Sequence, residues 1–158
     1  MCGGVEYRVP DRVEPIKTYF PIPYARLPVQ RAEGPEMLIW GRRKGEIEGE
    51  SLPVTGWARQ DSIDKHKWDR FDPEFVYLAV DRYMEKATHE TIDPAYPNRK
   101  PKRQSYWFDL KPGEAIEALI AHAPNGEKRL YVVTVPTPAE YYELIEHDRW
   151  PKVVNLDA

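Results

Sequence analysis

Cysteine is almost absent from this sequence, and long apolar runs are missing altogether. Among its 158 residues the one cysteine is Cys2, so no disulfide can form within the chain and a reducing compartment is expected. No apolar run approaches the ~20 residues that cross a bilayer, and no segment has the pattern of a secretory leader. We therefore expect a cytoplasmic monomer with no membrane partner; a place at the nucleoid or in a virus-infected cell is compatible with the same absences.

An excess of positive charge is also missing. Lys and Arg number 23 against 26 Asp and Glu, which gives a net charge of −3. This balance argues against a surface that binds nucleic acid by bulk electrostatics, but it leaves room for a local basic groove. Two clusters, residues 42–44 (RRK) and 99–103 (RKPKR), either flank such a groove or are simply solvated loops.

What the sequence contains fits one folded domain over residues 1–158. Apolar residues make up 41% and charged residues 31%, which is typical of a globular protein rather than a disordered one. The 16 prolines predict many turns and few long helices. The 5 Trp and 10 Tyr predict a well-filled core with some aromatic rings available for a cleft.

Short β-branched and aromatic segments predict a mainly β protein. The predicted strands are residues 37–40, 74–80, 105–110 and 129–135. The segments interrupted by Pro or Gly are predicted to be an irregular arm over residues 5–34 and loops over residues 45–56 and 86–104.

Two segments leave their structure open. Residues 57–63 are too short to classify. Residues 115–121 (AIEALIA) have the composition of a helix, but a hairpin partner for the strand 105–110 fits the short turn at 111–113 better. Residues 124–126 (PNG) predict a further turn.

A helix is predicted over residues 138–146. Thr137 is the expected N-cap, Pro138 suits the first helical position, and Glu140 would complete a capping box. Pro151 prevents the helix from continuing, so residues 147–149 are expected at its C-terminal end.

Cys2 is the first candidate for chemistry. Removal of Met1 would leave it with a free α-amine beside its thiol, and an α-amine has a pKa near 7.7–8.0, so part of it is unprotonated at neutral pH. Such an amine forms a Schiff base with an aldehyde, and the thiol can then close a five-membered thiazolidine. Gly3 and Gly4 would let the backbone fold tightly under a ligand. The alternative is a disordered tail with an incidental cysteine.

Glu85 and His147 are the candidates for proton transfer. Glu85 follows a predicted strand, and His147 follows the predicted helix. Histidine titrates near neutrality and is a common general acid or base. The alternatives are a solvated surface carboxylate and a histidine that only caps a helix C-terminus.

Residues 147–151 (HDRWP) resemble the H-x-R-M-P signature of the SRAP family, the SOS-response-associated peptidase-like proteins. The start Met-Cys-Gly is also similar to the start of that family. Further similarities follow in the same order along the chain: residues 40–41 (WG) to W-G-L-x-P, 58–62 (ARQDS) to N-A-R-S-E-T, 79–85 (AVDRYME) to P-A-D-G-F/Y-Y-E-W, and 104–108 (QSYWF) to Q-P-Y-F-I.

This resemblance implies a compact, divergent member with an α+β fold, mainly antiparallel β and barrel-like, with a few short helices. It implies binding of single-stranded DNA and attack on the ring-opened aldehyde of an abasic site, which gives a thiazolidine crosslink. Cys2 matches the family nucleophile, Glu85 the glutamate that assists proton transfer and reversal, and His147 the histidine that helps to open the sugar. Arg59 matches the arginine that binds a backbone phosphate. We expect no cofactor and no metal.

The chain departs from the family pattern at three positions. Trp57 stands where the family has asparagine, Gly4 stands where it has arginine, and Trp150 replaces the methionine of the signature. Either the covalent chemistry is kept with a rebuilt asparagine position, or the fold and the DNA contact are kept with impaired chemistry. The residues expected to contact DNA are Arg59, Trp57, Trp40, Arg42, Arg43 and Arg149.

Two other functions fit the same resemblance. One is a non-covalent module that binds single-stranded DNA or a protein. The other is a self-processing cysteine peptidase, whose role ends when a leader ahead of Cys2 has been removed.

Overall fold

A computed structural model describes residues 2–46 and 51–158. The protein has an α+β fold made mainly of antiparallel strands with few helices, which confirms the predicted class. The strands are β1 Cys2–Tyr7, β2 Ile16–Tyr19, β3 Arg26–Val29, β4 Glu36–Ile39, β5 Trp57–Arg59, β6 Glu74–Tyr77, β7 Arg82–Thr91, β8 Lys102–Asp109, β9 Glu114–His122, β10 Lys128–Pro136, β11 Arg149–Pro151 and β12 Val153–Asn155. The helices are α1 Gln60–Asp64, a 3-10 turn Asp69–Phe71 and α2 Ala139–Ile145. Over these ranges no helix is long and apolar enough to cross a membrane.

Two sheets enclose the main core. The first has the order β2-β1-β7-β8 and is antiparallel throughout. The second has the order β11-β10-β9-β12, with β5 added in parallel to β10 and β6 added antiparallel to β9. The β3–β4 hairpin joins the second sheet through single bridges from Val29 to Leu78 and from Trp40 to Leu130. One sheet curls into a half-barrel, in agreement with the barrel-like fold expected from the resemblance.

Strands β9 and β10 are buried on both faces. One face packs against the first sheet, and the other packs under α1 and the 3-10 turn, around Trp68 and Tyr131. Burial of both faces removes the alternation of polar and apolar residues, which explains why residues 115–121 do not show a strand pattern. The segment forms strand β9, but its predicted hairpin with residues 105–110 is wrong. After the turn at Gly113 the chain enters the second sheet, where β9 pairs with β6, β10 and β12.

The N-terminal segment is not the irregular arm that was predicted, since it supplies β1, β2 and β3. Most of its prolines lie in the connections between these strands, where a missing N–H costs nothing. Pro28 is the exception within β3, and its carbonyl oxygen accepts a hydrogen bond from the Ala79 N–H at 2.8 Å.

The predicted loops are shorter than expected. The β7–β8 hairpin extends the strands to Thr91 and from Lys102, which leaves residues 92–101 as the connection. Of the predicted loop 45–56, residues 45–46 and 51–56 have no helix or strand, and residues 47–50 lie outside the described part. Residues 57–63 divide into β5 and the start of α1.

Helix α2 begins at Ala139, one residue after the predicted start at Pro138. Pro138 occupies the N-cap position, with no side-chain capping bond, so the predicted Thr137 cap and Glu140 capping box are wrong. The Thr137 hydroxyl instead donates to the His147 carbonyl oxygen at 2.8 Å. The helix ends at Glu146 as predicted, in a left-handed conformation with φ of 63°.

Gly41 provides a test of the fold. Its φ is 52°, and a Cβ there would collide with the Thr55 carbonyl oxygen, whereas Gly126 has φ of 90° and open space around the same position. We expect Gly41→Ala to lower the free energy of unfolding by about 3 kcal/mol or more, and Gly126→Ala by about 1 kcal/mol. Urea unfolding measures both. Equal losses would show that only the backbone conformation, and not the collision, matters at Gly41.

Candidate functional site

The pairing of β1 with β7 brings the sequence-predicted residues together. Cys2 lies directly opposite Glu85 in this register. The Nε2 atom of His147 lies 3.2 Å from the Glu85 Oε2 atom. Cys2 and Glu85 have no exposed surface, and the His147 side chain is 16% exposed. Three residues that are far apart in the sequence therefore form one buried cluster with a partly open edge at His147.

Contacts outside the ladder with β7 also hold the start of strand β1. The ladder is irregular between Cys2 and Gly4, and the Gly3 carbonyl oxygen accepts from the Phe20 N–H at 3.1 Å. A Cβ at Gly4 would approach the Tyr19 ring to 2.9 Å. A larger side chain, such as the family arginine, therefore does not fit at this position without displacing Tyr19.

His147 is positioned by the end of helix α2. Glu146 ends the helix, and the Thr88 hydroxyl donates to its carbonyl oxygen at 3.3 Å and to its carboxylate at 3.2 Å. The His89 Nδ1 atom lies 3.5 Å from the same carboxylate. The Thr137 hydroxyl holds the His147 carbonyl from the other side. These contacts tie His147 to β7, the strand that carries Glu85.

The electrostatics of the cluster keep the Cys2 thiol protonated. Its Sγ–H donates to the Gly4 carbonyl oxygen at 3.3 Å. Burial raises the pKa of the thiol well above its usual range, and the negative charge of Glu85 raises it further. A thiolate is therefore not available at neutral pH, and any reaction at Cys2 has to begin at another atom.

A cleft of about 640 Å³ adjoins the cluster. Its walls are mainly apolar, and its residues are Gly3, Tyr19, Phe20, Pro21, Trp57, Met84, Lys86, Thr88, Arg103, His147, Asp148 and Arg149. His147 belongs to both the cluster and the cleft. Cys2 and Glu85 lie behind the wall, although Gly3, the next residue after Cys2, lines it.

Trp57 connects the cleft wall to Cys2. Its Nε1–H donates to the Cys2 carbonyl oxygen at 2.8 Å. Its ring lies 4.8 Å from the Phe20 ring, centroid to centroid, and both rings line the cleft. The residue at the family's asparagine position thus makes a hydrogen bond with the candidate nucleophile.

Three of the residues expected to contact DNA make hydrogen bonds within the fold. Trp40 is fully buried and donates through Nε1 to the Gly56 carbonyl oxygen at 2.9 Å, so no face of its ring is open to a base. Arg42 donates to the Glu46 and Leu52 carbonyl oxygens. Arg43 donates to the Phe20 carbonyl oxygen at 2.6 Å and pairs with Glu46. The basic cluster at 42–44 holds a loop together, which a count of charges in the sequence does not reveal.

Of the other two arginines expected to contact DNA, Arg149 lies in the cleft and Arg59 lies on β5, two residues after Trp57. Arg149 donates to the Thr134 carbonyl oxygen at 2.6 Å. Arg59 pairs with Thr134 on the neighbouring strand and is half-exposed. Its guanidinium binds the Asp61 carboxylate through two hydrogen bonds of 3.0 and 2.9 Å and holds the pKa of that carboxyl well below its usual range. A phosphate at Arg59 would have to compete with Asp61.

Sequence reasoning missed several residues of the cleft. Tyr19 and Phe20 were hidden in the segment predicted to be irregular. Lys86 and Thr88 alternate with Glu85 along β7 and so face the cleft, which a strand prediction extended past residue 85 could have shown. Arg103 was not missed, since it belongs to the basic cluster 99–103, which the sequence offered either as the flank of a groove or as a solvated loop. In the described part of the chain no group of three His, Cys, Asp or Glu side chains is placed to hold a metal ion.

The buried thiol predicts a stability change in alkaline solution. Because folding raises the thiol pKa, the unfolded chain loses this proton first, and the free energy of unfolding falls as the pH rises above about 8.5, by up to about 1.4 kcal/mol per unit. Cys2→Ala lacks this contribution. Its urea unfolding free energy should therefore decline less steeply between about pH 8.5 and 10, and the tyrosines contribute equally to both proteins in this range. Parallel curves for the two proteins would contradict the raised pKa.

No family model, no curated protein and no solved structure matches this chain. The resemblance to the SRAP family therefore rests on the sequence motifs.

Proposed function

We propose that this protein captures the aldehyde of abasic sites in single-stranded DNA through Cys2 after removal of Met1. The observation that carries the proposal is the cluster of Cys2, Glu85 and His147 behind the wall of one cleft. An α-amine beside a thiol, a carboxylate and an imidazole are the groups that thiazolidine formation needs.

The reaction begins at the amine. The Cys2 nitrogen attacks the aldehyde carbon, and the resulting carbinolamine loses water to give an imine. The thiol sulfur then adds to the imine carbon, and the thiol proton passes to the nitrogen, which closes the thiazolidine ring. One aldehyde is consumed and one water is released, with no oxidant or reductant. The high pKa of the thiol agrees with this order, because the amine acts first and the sulfur gives up its proton only during ring closure.

His147 and Glu85 are suited to moving these protons. His147 reaches from the cleft to the buried carboxylate, so it can accept a proton at the cleft surface and exchange it with Glu85 across 3.2 Å. The same pair can assist opening of the sugar to its aldehyde form. Well-placed acid–base groups typically raise a reaction rate by about 10²–10⁴-fold.

The cleft suits a flipped-out abasic nucleotide and its neighbours. Its volume of about 640 Å³ lies within the range of small-ligand sites. Phe20 and Trp57 offer ring surface to an adjacent base. Lys86, Arg103 and Arg149 line the cleft. Arg103 donates to the Ala87 carbonyl oxygen at 2.8 Å and Arg149 to that of Thr134 at 2.6 Å, so their remaining N–H groups would have to pair with phosphates.

A second function is favoured by one observation. Cys2 is fully buried in the chain that still carries Met1, and the thiol is not exposed to the cleft. A non-covalent module that binds single-stranded DNA would need only the aromatic and basic cleft residues. Binding that is indifferent to Cys2 would support this module. Self-cleavage of a version with an added leader, in the absence of DNA, would support the self-processing peptidase.

The central test is crosslinking to an abasic oligonucleotide. Protein whose loss of Met1 has been checked by intact mass should give a slow-migrating adduct on denaturing electrophoresis. Cys2→Ser keeps the amine but cannot close a thiazolidine, so its adduct should appear only after borohydride reduction of the imine. Glu85→Gln and His147→Gln should slow adduct formation by about 10²-fold.

The control substrate is a tetrahydrofuran analogue of the abasic site, which has the same shape but no aldehyde. It should bind with the same affinity and give no adduct. An adduct from unreduced Cys2→Ser would exclude thiazolidine formation by the Cys2 thiol, and no adduct from the mature protein would exclude the covalent function. Circular dichroism should confirm that each variant is folded.

Salt dependence tests the phosphate contacts. If Lys86 and Arg103 each neutralise one phosphate, Lys86→Gln and Arg103→Gln should each lower the slope of log affinity against log salt by about 0.7. Lys128 pairs with Glu36 and does not line the cleft, so Lys128→Gln should leave the slope unchanged. Fluorescence anisotropy with the tetrahydrofuran oligonucleotide gives these slopes. Equal slopes for the wild type and the three variants would show that the DNA does not contact Lys86 or Arg103.

A further inference from the structure

Trp57 makes a contact that neither base stacking nor core packing requires. It is partly exposed, it lines the cleft, and its Nε1–H donates to the Cys2 carbonyl oxygen at 2.8 Å. A tryptophan that only stacked on a base would need its ring surface and could leave this N–H in water. Here the N–H is directed at the residue that becomes the N-terminus when Met1 is removed.

We propose that Trp57 is a positioning residue whose indole N–H fixes the backbone of Cys2 for reaction. The proposal rests on the proposed function and names the residue that takes over the asparagine position of the SRAP pattern. It assigns Trp57 an orienting role in place of, or in addition to, the DNA contact expected from the sequence.

The physical need for such a contact comes from the position of Cys2. The first residues of a chain fray unless their backbone is held. Once Met1 is removed, the amine and the thiol both depend on the orientation of the Cys2 Cα atom. The ladder with Glu85 holds one side of the residue, and it is irregular immediately afterwards, between Cys2 and Gly4. The hydrogen bond from the Trp57 indole, on strand β5, holds the carbonyl group of Cys2.

Trp57 is itself held rigidly enough for this role. Its strand runs parallel to β10, with Trp57 opposite Val132. Its ring packs at 4.8 Å on Phe20 and at 6.2 Å on Trp40. The Phe20 N–H in turn donates to the Gly3 carbonyl oxygen at 3.1 Å. The Trp57 indole and the Phe20 backbone N–H thus bind two successive carbonyl groups, those of Cys2 and Gly3.

Trp57→Phe tests the proposal, because phenylalanine keeps a ring in the wall and removes the N–H. We expect the maximal crosslinking rate at saturating abasic DNA to fall by about three- to tenfold, the equivalent of one net hydrogen bond. The affinity for the tetrahydrofuran oligonucleotide should stay within about twofold, since the ring surface remains. Amide hydrogen exchange in strand β1 should become about tenfold faster.

Tyr131→Phe is the matched control. The Tyr131 hydroxyl donates to the Pro53 carbonyl oxygen at 2.9 Å in the second core cluster, so this change also removes one hydrogen bond to a backbone carbonyl. It should leave the crosslinking rate and the exchange of β1 unchanged. A comparable fall in the rate for Tyr131→Phe would mean that general loss of stability explains both variants, and would overturn the proposal.

The two proposals fail in different ways. If the mature wild-type protein forms no adduct, the proposed function is wrong, and faster exchange in Trp57→Phe still shows that the indole holds Cys2. If Trp57→Phe binds DNA more weakly but crosslinks at the wild-type maximal rate, Trp57 only stacks on a base and the positioning role is wrong. Unchanged exchange in β1 would also overturn it.

Discussion

The placement of the first strand inside a sheet is the constraint on which the rest of the structure depends. Strand β1 lies between β2 and β7 instead of at an edge, so residues 4–6 are paired on both sides and Cys2 is paired with β7. This pairing is what brings Cys2 opposite Glu85. It also fixes Gly3 in the cleft wall and allows Trp57 and Phe20 to bind successive carbonyl groups. Without β1 in this position, the cleft would lose its wall and the cluster its cysteine.

In the proposed function, burial separates proton transfer from phosphate binding. Glu85 has no exposed surface and has His147 as its partner, so a proton passed between them would move in a medium where water competes little. Lys86, Arg103 and Arg149 lie around the cleft, where phosphates can reach them. The buried ion pair of Arg129 with Glu46 lies in the segment after β4, and neither residue is among those that line this cleft. A buried charged residue therefore does not by itself indicate the site. Glu85 differs from Glu46 because its partner, His147, lines the cleft.

Local patterns in the sequence predicted the strands that alternate or are strongly β-branched, the turns, and the end of α2. The order of Cys2, Glu85 and His147 along the chain also suggested residues that the fold does bring together. What could not be predicted depends on pairing between distant segments. Strands β1 to β3 were hidden by prolines that lie mostly in their connections, and Trp40 was given a role in binding because the sequence does not tell a buried indole from an exposed one.

The alternation of side chains along β7 determines where a reaction can occur. Met84, Lys86 and Thr88 face the cleft, whereas Glu85 lies on the opposite side of the strand, in the core. A substrate in the cleft is thus separated from the carboxylate by the strand itself. His147, which follows the end of α2, contacts Glu85 and also lines the cleft, and Gly3 brings the start of β1 to the cleft wall. In the proposed reaction an aldehyde in the cleft would therefore meet its nucleophile at the start of β1, where the Trp57 indole hydrogen-bonds to the Cys2 carbonyl oxygen.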